Sequence, residues 1–160
     1  MGDKSKKDER RVLARNRRAR HDYEILETFE AGLALKGTEV KSAREGRIQL
    51  KDSYVTVENG EAWLIGAHIS PYSHGNVTNH DPERSRKLLL HKSEIDKIFG
   101  RTTIQGQTAI PLEIYLQGNW IKARIALAKG KKLYDKRETE RRKIADREAE
   151  EAVRRGLKGV

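Results

Sequence analysis

The side chains in this sequence most able to do chemistry are its five histidines and a set of basic residues interleaved with apolar ones. His74, His80 and Asp81 fall in one predicted loop, and His80 adjoins Asp81, which invites a metal or acid–base reading. The spacing matches no zinc pattern, and no His-x₃-His pair lies on a predicted helix. His21 and His68 are of the right type for general acid–base work, but no paired nucleophile accompanies them. The chain has no cysteine, which excludes disulfides, zinc ribbons, iron–sulfur sites and thiol nucleophiles. Neither G-x-G-x-x-G nor G-x-x-x-x-G-K-[ST] occurs, so no glycine loop of known pattern cradles a phosphate. The expectation is a binding protein, not an enzyme, with no cofactor and no metal.

The basic residues say more. Lys122 and Arg124 alternate on one predicted strand and so point the same way. Arg84, Arg86 and Lys87 cluster in a predicted loop. Beside an exposed Tyr or His, such groups suit phosphate contacts combined with base stacking. The alternative is solvated charge balanced by nearby acids. Leu88, Leu89 and Leu90 cannot all face inward from a strand, so at least one is expected at the surface or under a loop. Both core packing and contact with a partner remain open for them.

These groups need a scaffold, and the charge distribution outlines one. Of 160 residues, 34 are Lys or Arg and 24 Asp or Glu, a formal net charge of +10. Residues 1–20 carry nine basic and three acidic side chains; residues 131–160 carry eleven and seven. The whole excess therefore lies in the two ends. Residues 21–130 are neutral and hold every Phe and Trp and four of the five Tyr. The expected plan is a basic N-terminal arm (1–20), a globular core (21–130) and a basic C-terminal tail (131–160). A core of that size can fold alone. Basic arms on a neutral core suggest a polyanionic partner, nucleic acid first and an anionic membrane second. No run approaches the ~20 apolar residues of a membrane span. The N-terminus is charged from Asp3 onward without an apolar h-region, so the expected compartment is the cytoplasm.

Periodicity fills in the elements. The first arm has too few apolar residues to pack and is expected to lack fixed structure when free. Tyr23, Ile25 and Phe29 read as one face of a strand. Thr38 is a candidate cap for a short helix over 39–45, with Gly46 closing it. Val55 and Val57 alternate with polar residues, Asn59-Gly60 follows, and a second apolar run covers 62–69, which predicts a tight hairpin. Ser93 is a candidate cap for a helix over 94–99, ended by Gly100. Ile110, Leu112, Ile114 and Leu116 alternate, as do Ile121, Ala123, Ile125 and Leu127, predicting two more strands. Five or six antiparallel strands with two or three short helices predict a mainly β protein, a small barrel. The tail lacks β-branched runs and proline and carries opposite charges four apart (Glu138–Arg142, Arg142–Asp146, Arg147–Glu151, Glu151–Arg155). That predicts a helix, marginal when free and able to order on a polyanion.

Ordered blocks of sequence then carry a resemblance. They are Arg17-Arg18-Ala19-Arg20-His21-Asp22-Tyr23, Phe29-Glu30-Ala31-Gly32-Leu33, Gly37-Thr38-Glu39-Val40-Lys41-Ser42 and Ile69-Ser70-Pro71-Tyr72. Asn79-His80-Asp81-Pro82, Arg86-Lys87-Leu88-Leu89-Leu90 and the run Gly130-Lys131-Lys132-Leu133-Tyr134-Asp135-Lys136-Arg137 complete the set. From Asn16 to about Arg137 the chain resembles the bacterial SsrA-binding protein family, also called small protein B. Residues 1–15 match no pattern, and 138–160 resemble the family mainly in charge and helical tendency. The resemblance implies an oligonucleotide-binding (OB-type) barrel that grips the tRNA-like domain of transfer-messenger RNA (tmRNA, or SsrA RNA). It implies delivery of that RNA, alanylated by alanyl-tRNA synthetase and carried by elongation factor Tu, to ribosomes stalled without a stop codon. It also implies a tail lying as a helix in the empty mRNA channel against small-subunit rRNA, and a monomer with no membrane role. Carried over by motif, Asn16, Arg18, His21, Tyr23, Glu30, Leu89, Lys122 and Arg124 are expected at the tmRNA interface. Lys131, Lys132, Tyr134, Asp135, Lys136 and Arg137 are expected near the decoding centre. Rival readings are a generic OB-type RNA-binding translation factor without tmRNA specificity, a nuclease using His68 or His80–Asp81, and a structural ribosomal protein.

Overall fold

The computed structural model describes residues 10–73, 78–104, 106–131 and 141–152. The first element is a strand, β1 (Arg10–Arg15), followed by a single helical turn, α1 (Ala19–Asp22), and a long strand, β2 (Tyr23–Leu33). Next come α2 (Gly37–Arg44), β3 (Ile48–Gln49), β4 (Tyr54–Glu58), β5 (Glu61–Ile65) and β6 (His68–Ile69). After a loop follow β7 (Arg86–Leu89), α3 (Lys92–Thr102), β8 (Gln107–Gln117) and β9 (Trp120–Gly130). Residues 141–152 are helical and exposed throughout, which agrees with the helix expected from the tail's charge pattern.

The predicted hairpin is β4–β5. Asn59 and Gly60 both have positive φ (52° and 75°), the mirror-image turn whose twist matches that of the flanking strands. It sets Val55 opposite Leu64 and Val57 opposite Ala62. The sheet runs β1-β8-β4-β5-β7-β2-β9, and β8 also pairs with β9, so six strands close on themselves as an antiparallel barrel. β8 makes this possible by serving two partners on one edge. It meets β4 at Ala109 and β1 over residues 113–117. The barrel interior holds Phe29, Ala31, Leu64, Leu88, Ile114, Ile121, Ala123, Ile125 and Leu127, with Ile98 of α3 plugging one side. A closed ring leaves few edges to cover.

Four expectations need correction. The N-terminal arm is structured from Arg10: β1 pairs antiparallel with β8, and Leu13 and Ala14 pack on the core. Its ladder partner lies about a hundred residues away, so local composition gives no sign of it. The helices also start earlier than predicted. α2 begins at Gly37, where the Lys36 N–H donates to Glu39 Oε1 at 2.8 Å, and α3 begins at Lys92, where the His91 N–H donates to Glu94 Oε1 at 3.0 Å. In each helix the first-turn glutamate reaches back to the N–H of the N-cap residue, Lys36 or His91, so neither Thr38 nor Ser93 is the cap. α3 runs through Gly100 to Thr102. Finally, the alternation of β8 does not hold end to end. Pro111 faces Ile125 and Glu113 faces Arg124, so Leu112 is an extra residue, a bulge beside a proline that has no N–H for the ladder. Ile114 stays in the barrel, but Ile110 and Leu112 turn outward onto Ala126, Ala128 and Ala19, with Tyr23 and Ile25 packed alongside. This small external cluster seats α1 on the barrel wall.

Candidate nucleic-acid interface

β2, β9 and β8 lie side by side, and their register decides which side chains share the outer face. Glu30 faces Arg124, which faces Glu113; Gly32 faces Lys122, which faces Tyr115. Opposed residues of an antiparallel pair point to the same side. Two rows therefore run across the barrel wall, Glu113–Arg124–Glu30 and Tyr115–Lys122–Gly32. On the far side of Gly32 stands Leu89 of β7, which is 55% exposed. A Cβ placed on Gly32 would lie 3.2 Å from the Leu89 Cβ, so the leucine covers the space that the glycine leaves. Four of the eight expected RNA-contact residues, Glu30, Leu89, Lys122 and Arg124, are thus brought onto one face.

Hydrogen bonds stiffen this face. The Tyr115 hydroxyl donates to Glu30 Oε1. The Arg10 guanidinium stacks 3.7 Å above the Tyr115 ring centroid and donates to Glu113 Oε1 at 2.6 Å. The Tyr115 bond, followed by Lys122 and Arg10, holds the Glu30 carboxyl below the usual carboxylate range against a smaller opposing effect of burial. Burial and then Glu30 itself push the Tyr115 phenol up. Glu30 is therefore ionised, with Oε1 occupied and Oε2 able to accept from an N–H donor. Among the described residues Lys122 has no ion-pair partner, and Arg124 Nε lies 4.0 Å from Glu113, outside hydrogen-bond range. Both cations remain able to take a phosphate.

The other expected residues gather at the lower end of the same wall. The Asn16 N–H donates to the Leu112 carbonyl at 2.8 Å and its Nδ2 to the Pro111 carbonyl at 3.0 Å, so it satisfies the backbone of the β8 bulge. Beside it a notch of about 490 Å³ is lined by Arg15, Arg17, Arg20, Glu113 and Arg124. Arg18, 73% exposed and 3.6 Å from Asp22, shares a separate groove of about 760 Å³ with Asn16, Tyr23 and residues 48–53. His21 Nδ1 lies 2.9 Å from Asp22 Oδ1. Lys131 joins β9 to this corner: its N–H donates to the Asp22 carbonyl at 3.0 Å and its Nζ to the Arg20 carbonyl at 2.9 Å. Lys132, Tyr134, Asp135, Lys136 and Arg137 lie outside the described residues, as does His74.

Two sets of candidates turn out to be structural. Arg86 is fully buried, with its Nε donating to Glu39 Oε2 at 2.6 Å and its remaining nitrogens to the carbonyls of Ala67, Asp81 and Pro82. Arg84 donates to the other Glu39 oxygen, and Lys87 lies 3.2 Å from Glu61. Arg86 and Lys87 lie on β7 rather than in a loop, and Arg86, buried and paired, is not available to a phosphate: it ties α2 to the β7 side of the barrel. Burial alone would raise the Glu39 carboxyl, but the bonds from Arg84, the Lys36 N–H and Arg86 together lower it. His80 is also buried, between the Thr38 hydroxyl at Nδ1 (2.8 Å) and the Ile69 carbonyl at Nε2 (2.9 Å). A carbonyl only accepts, so Nε2 carries a proton, and in the neutral ring Nδ1 accepts from the Thr38 hydroxyl. His80 is thus spent on holding the loop, and its neighbour Asp81 accepts from the Glu83 N–H at 3.0 Å. Sequence reasoning missed Tyr115, Glu113 and Arg10. The signal available was the placement of Glu113 and Tyr115 on the polar side of β8.

A barrel with cations, an ionised acceptor and an exposed leucine on one face, next to an arginine-lined notch, is built as a polyanion-binding module. Comparison with known proteins makes the class specific. A family model described as SmpB protein matches residues 13–155. The SsrA-binding protein of Carboxydothermus hydrogenoformans is 56% identical over 144 residues, covering 90% of this chain and 97% of the relative. That of Caldicellulosiruptor saccharolyticus is 56% identical over 158 residues, covering 99% and 98%. A chain of the solved structure described as "tmRNA-SmpB: a journey to the center of the bacterial ribosome" is 50% identical, with a TM-score of 0.64 over 75% of this chain and 85% of that one. The chain belongs to the SmpB family.

Proposed function

We propose that this protein binds the tRNA-like domain of tmRNA and delivers it to stalled ribosomes for trans-translation. The observation that carries the reading is the convergence of Glu30, Leu89, Lys122 and Arg124 on one barrel face, in a chain of the SmpB family. Lys122, Arg124 and the notch arginines hold phosphates of the folded RNA. Glu30 cannot pair with phosphate and accepts an amino or imino N–H from a base instead. Leu89 gives apolar contact beside it. Asn16, Arg18, His21 and Tyr23 extend the interface around α1. Its role is recognition rather than catalysis, and it acts in the cytoplasm as a monomer. Among the described residues no helix is long and apolar enough to cross a membrane. The tail enters the mRNA channel, with Lys131 at its root and Lys132, Tyr134, Asp135, Lys136 and Arg137 at the decoding centre. The test is reconstituted translation of a message without a stop codon. The full chain should add the tmRNA-encoded tag, and a 1–130 truncation should bind tmRNA but leave the product untagged. Tagging by the truncation would remove the tail's role.

A further inference from the structure

We propose that Trp120 is a stacking platform for an unpaired nucleobase, extending the RNA-binding face to the tip of the β8–β9 hairpin. This rests on the RNA-binding reading above. Trp120 is 74% exposed, the most exposed large hydrophobic side chain among the described residues. It opens β9, opposite Gln117, after a turn in which Gly118 has a φ of 60°. Along β9, Ile121, Ala123 and Ile125 point into the barrel, so Trp120 shares the outer side with Lys122 and Arg124. Gln117 in turn pairs with Arg10, whose guanidinium lies over Tyr115 and is bonded to Glu113, which leaves Lys122 as the cation beside the indole.

The surroundings select the occupant. An indole this exposed offers a flat apolar surface that nothing among the described residues covers. Next to it, Lys122 has no acidic ion-pair partner among the described residues, while the nearby acids Glu113 and Glu30 are engaged by Arg10 and Tyr115. A partner must therefore bring negative charge and a planar ring together. A single-stranded nucleotide does both, with its phosphate toward Lys122 and its base on the indole. A protein partner would need an apolar patch around Trp120, where the neighbours are Gln117, Asn119 and Lys122.

The chain has two tryptophans, so Trp63→Phe leaves Trp120 as the only indole emitter. The probe is the isolated tRNA-like domain of tmRNA, with binding read independently by anisotropy of a dye on the RNA. The expected result is quenching of Trp120 emission and protection from acrylamide at the RNA concentration where anisotropy saturates. In the native background, Trp120→Ala should weaken binding on the order of tenfold. It should leave the slope of log Kd against log salt unchanged, because an indole neutralises no phosphate. Trp120→Phe should recover part of the loss. Normal anisotropy with unquenched, acrylamide-accessible Trp120 and full affinity for Trp120→Ala would overturn the stacking role and leave the RNA-binding reading standing. A failure of the anisotropy itself would overturn both.

Discussion

Tyr115→Phe tests the hydrogen bond that holds the Glu30 carboxylate on the outer face. The ring is buried and Phe keeps its packing, so the change removes one hydroxyl and its bond to Glu30. A hydrogen bond to a charged group contributes roughly 1.5–3 kcal/mol. Glu30 is exposed and water can replace the donor, so the expected loss at pH 7 is about 1 kcal/mol. The sign with pH follows from the two partners. Glu30 is held below its unfolded value, chiefly by Tyr115, so its contribution is present above the ordinary carboxylate range and vanishes as pH falls through the folded value. Tyr115 is raised, by burial and then by Glu30, so its contribution is complete below an ordinary phenol value and is lost as pH rises through the higher folded one. Urea unfolding followed by circular dichroism, run from pH 7 down to about pH 3 and again above about pH 10, should show the gap between native and variant closing at both ends. A gap that stays constant across the acidic range would mean that the Tyr115–Glu30 bond does not set the stability of this face.

Arg86→Ala leaves the Glu39 carboxylate buried with part of its pairing gone, and should cost about 3–5 kcal/mol, read as a large drop in Tm. The double variant Glu39→Met/Arg86→Met, which removes both charges, should be more stable than Arg86→Ala. Lys122→Ala and Arg124→Ala should each weaken RNA binding and lower the salt slope by about one per lost phosphate contact, with thermal stability nearly unchanged. At Gly66, φ is +81° and an added Cβ would meet the Asp52 carbonyl at 3.4 Å, so Gly66→Ala should destabilise the β5–β6 turn by about 1–2 kcal/mol in a urea titration.

The parts of this fold that were legible in the sequence are those coded locally. Asn59-Gly60 between alternating runs predicts the β4–β5 hairpin because both turn residues must take positive φ, and they do. Lys122 and Arg124 could be placed on a common face from alternation alone, which held along β9. What was not legible depends on distant partners. β1 is a strand because β8 offers it a free edge, not because Arg10–Arg15 looks like one. The β8 bulge at Leu112 reassigns Ile110 and Leu112 to the outside, and one extra residue leaves no mark on the apolar pattern. Arg86 looked like a surface cation beside Arg84 and Lys87; only the position of Glu39 on α2 shows that it is buried and paired. Glu30 was recognisable by motif, but the reason it stays ionised, Tyr115, required the register of β2, β9 and β8.

Competition binding against the isolated tRNA-like domain of tmRNA, repeated over a series of salt concentrations, tests the central claim most directly. Ordinary tRNA and an unstructured RNA of the same length serve as competitors. Recognition by the shaped face predicts a preference for the tRNA-like domain that persists at high salt, because Glu30, Leu89 and the backbone-anchored Asn16 act without phosphate neutralisation. Equal affinity for all three RNAs, falling together as salt rises, would mean that the basic residues alone carry binding and would contradict the account.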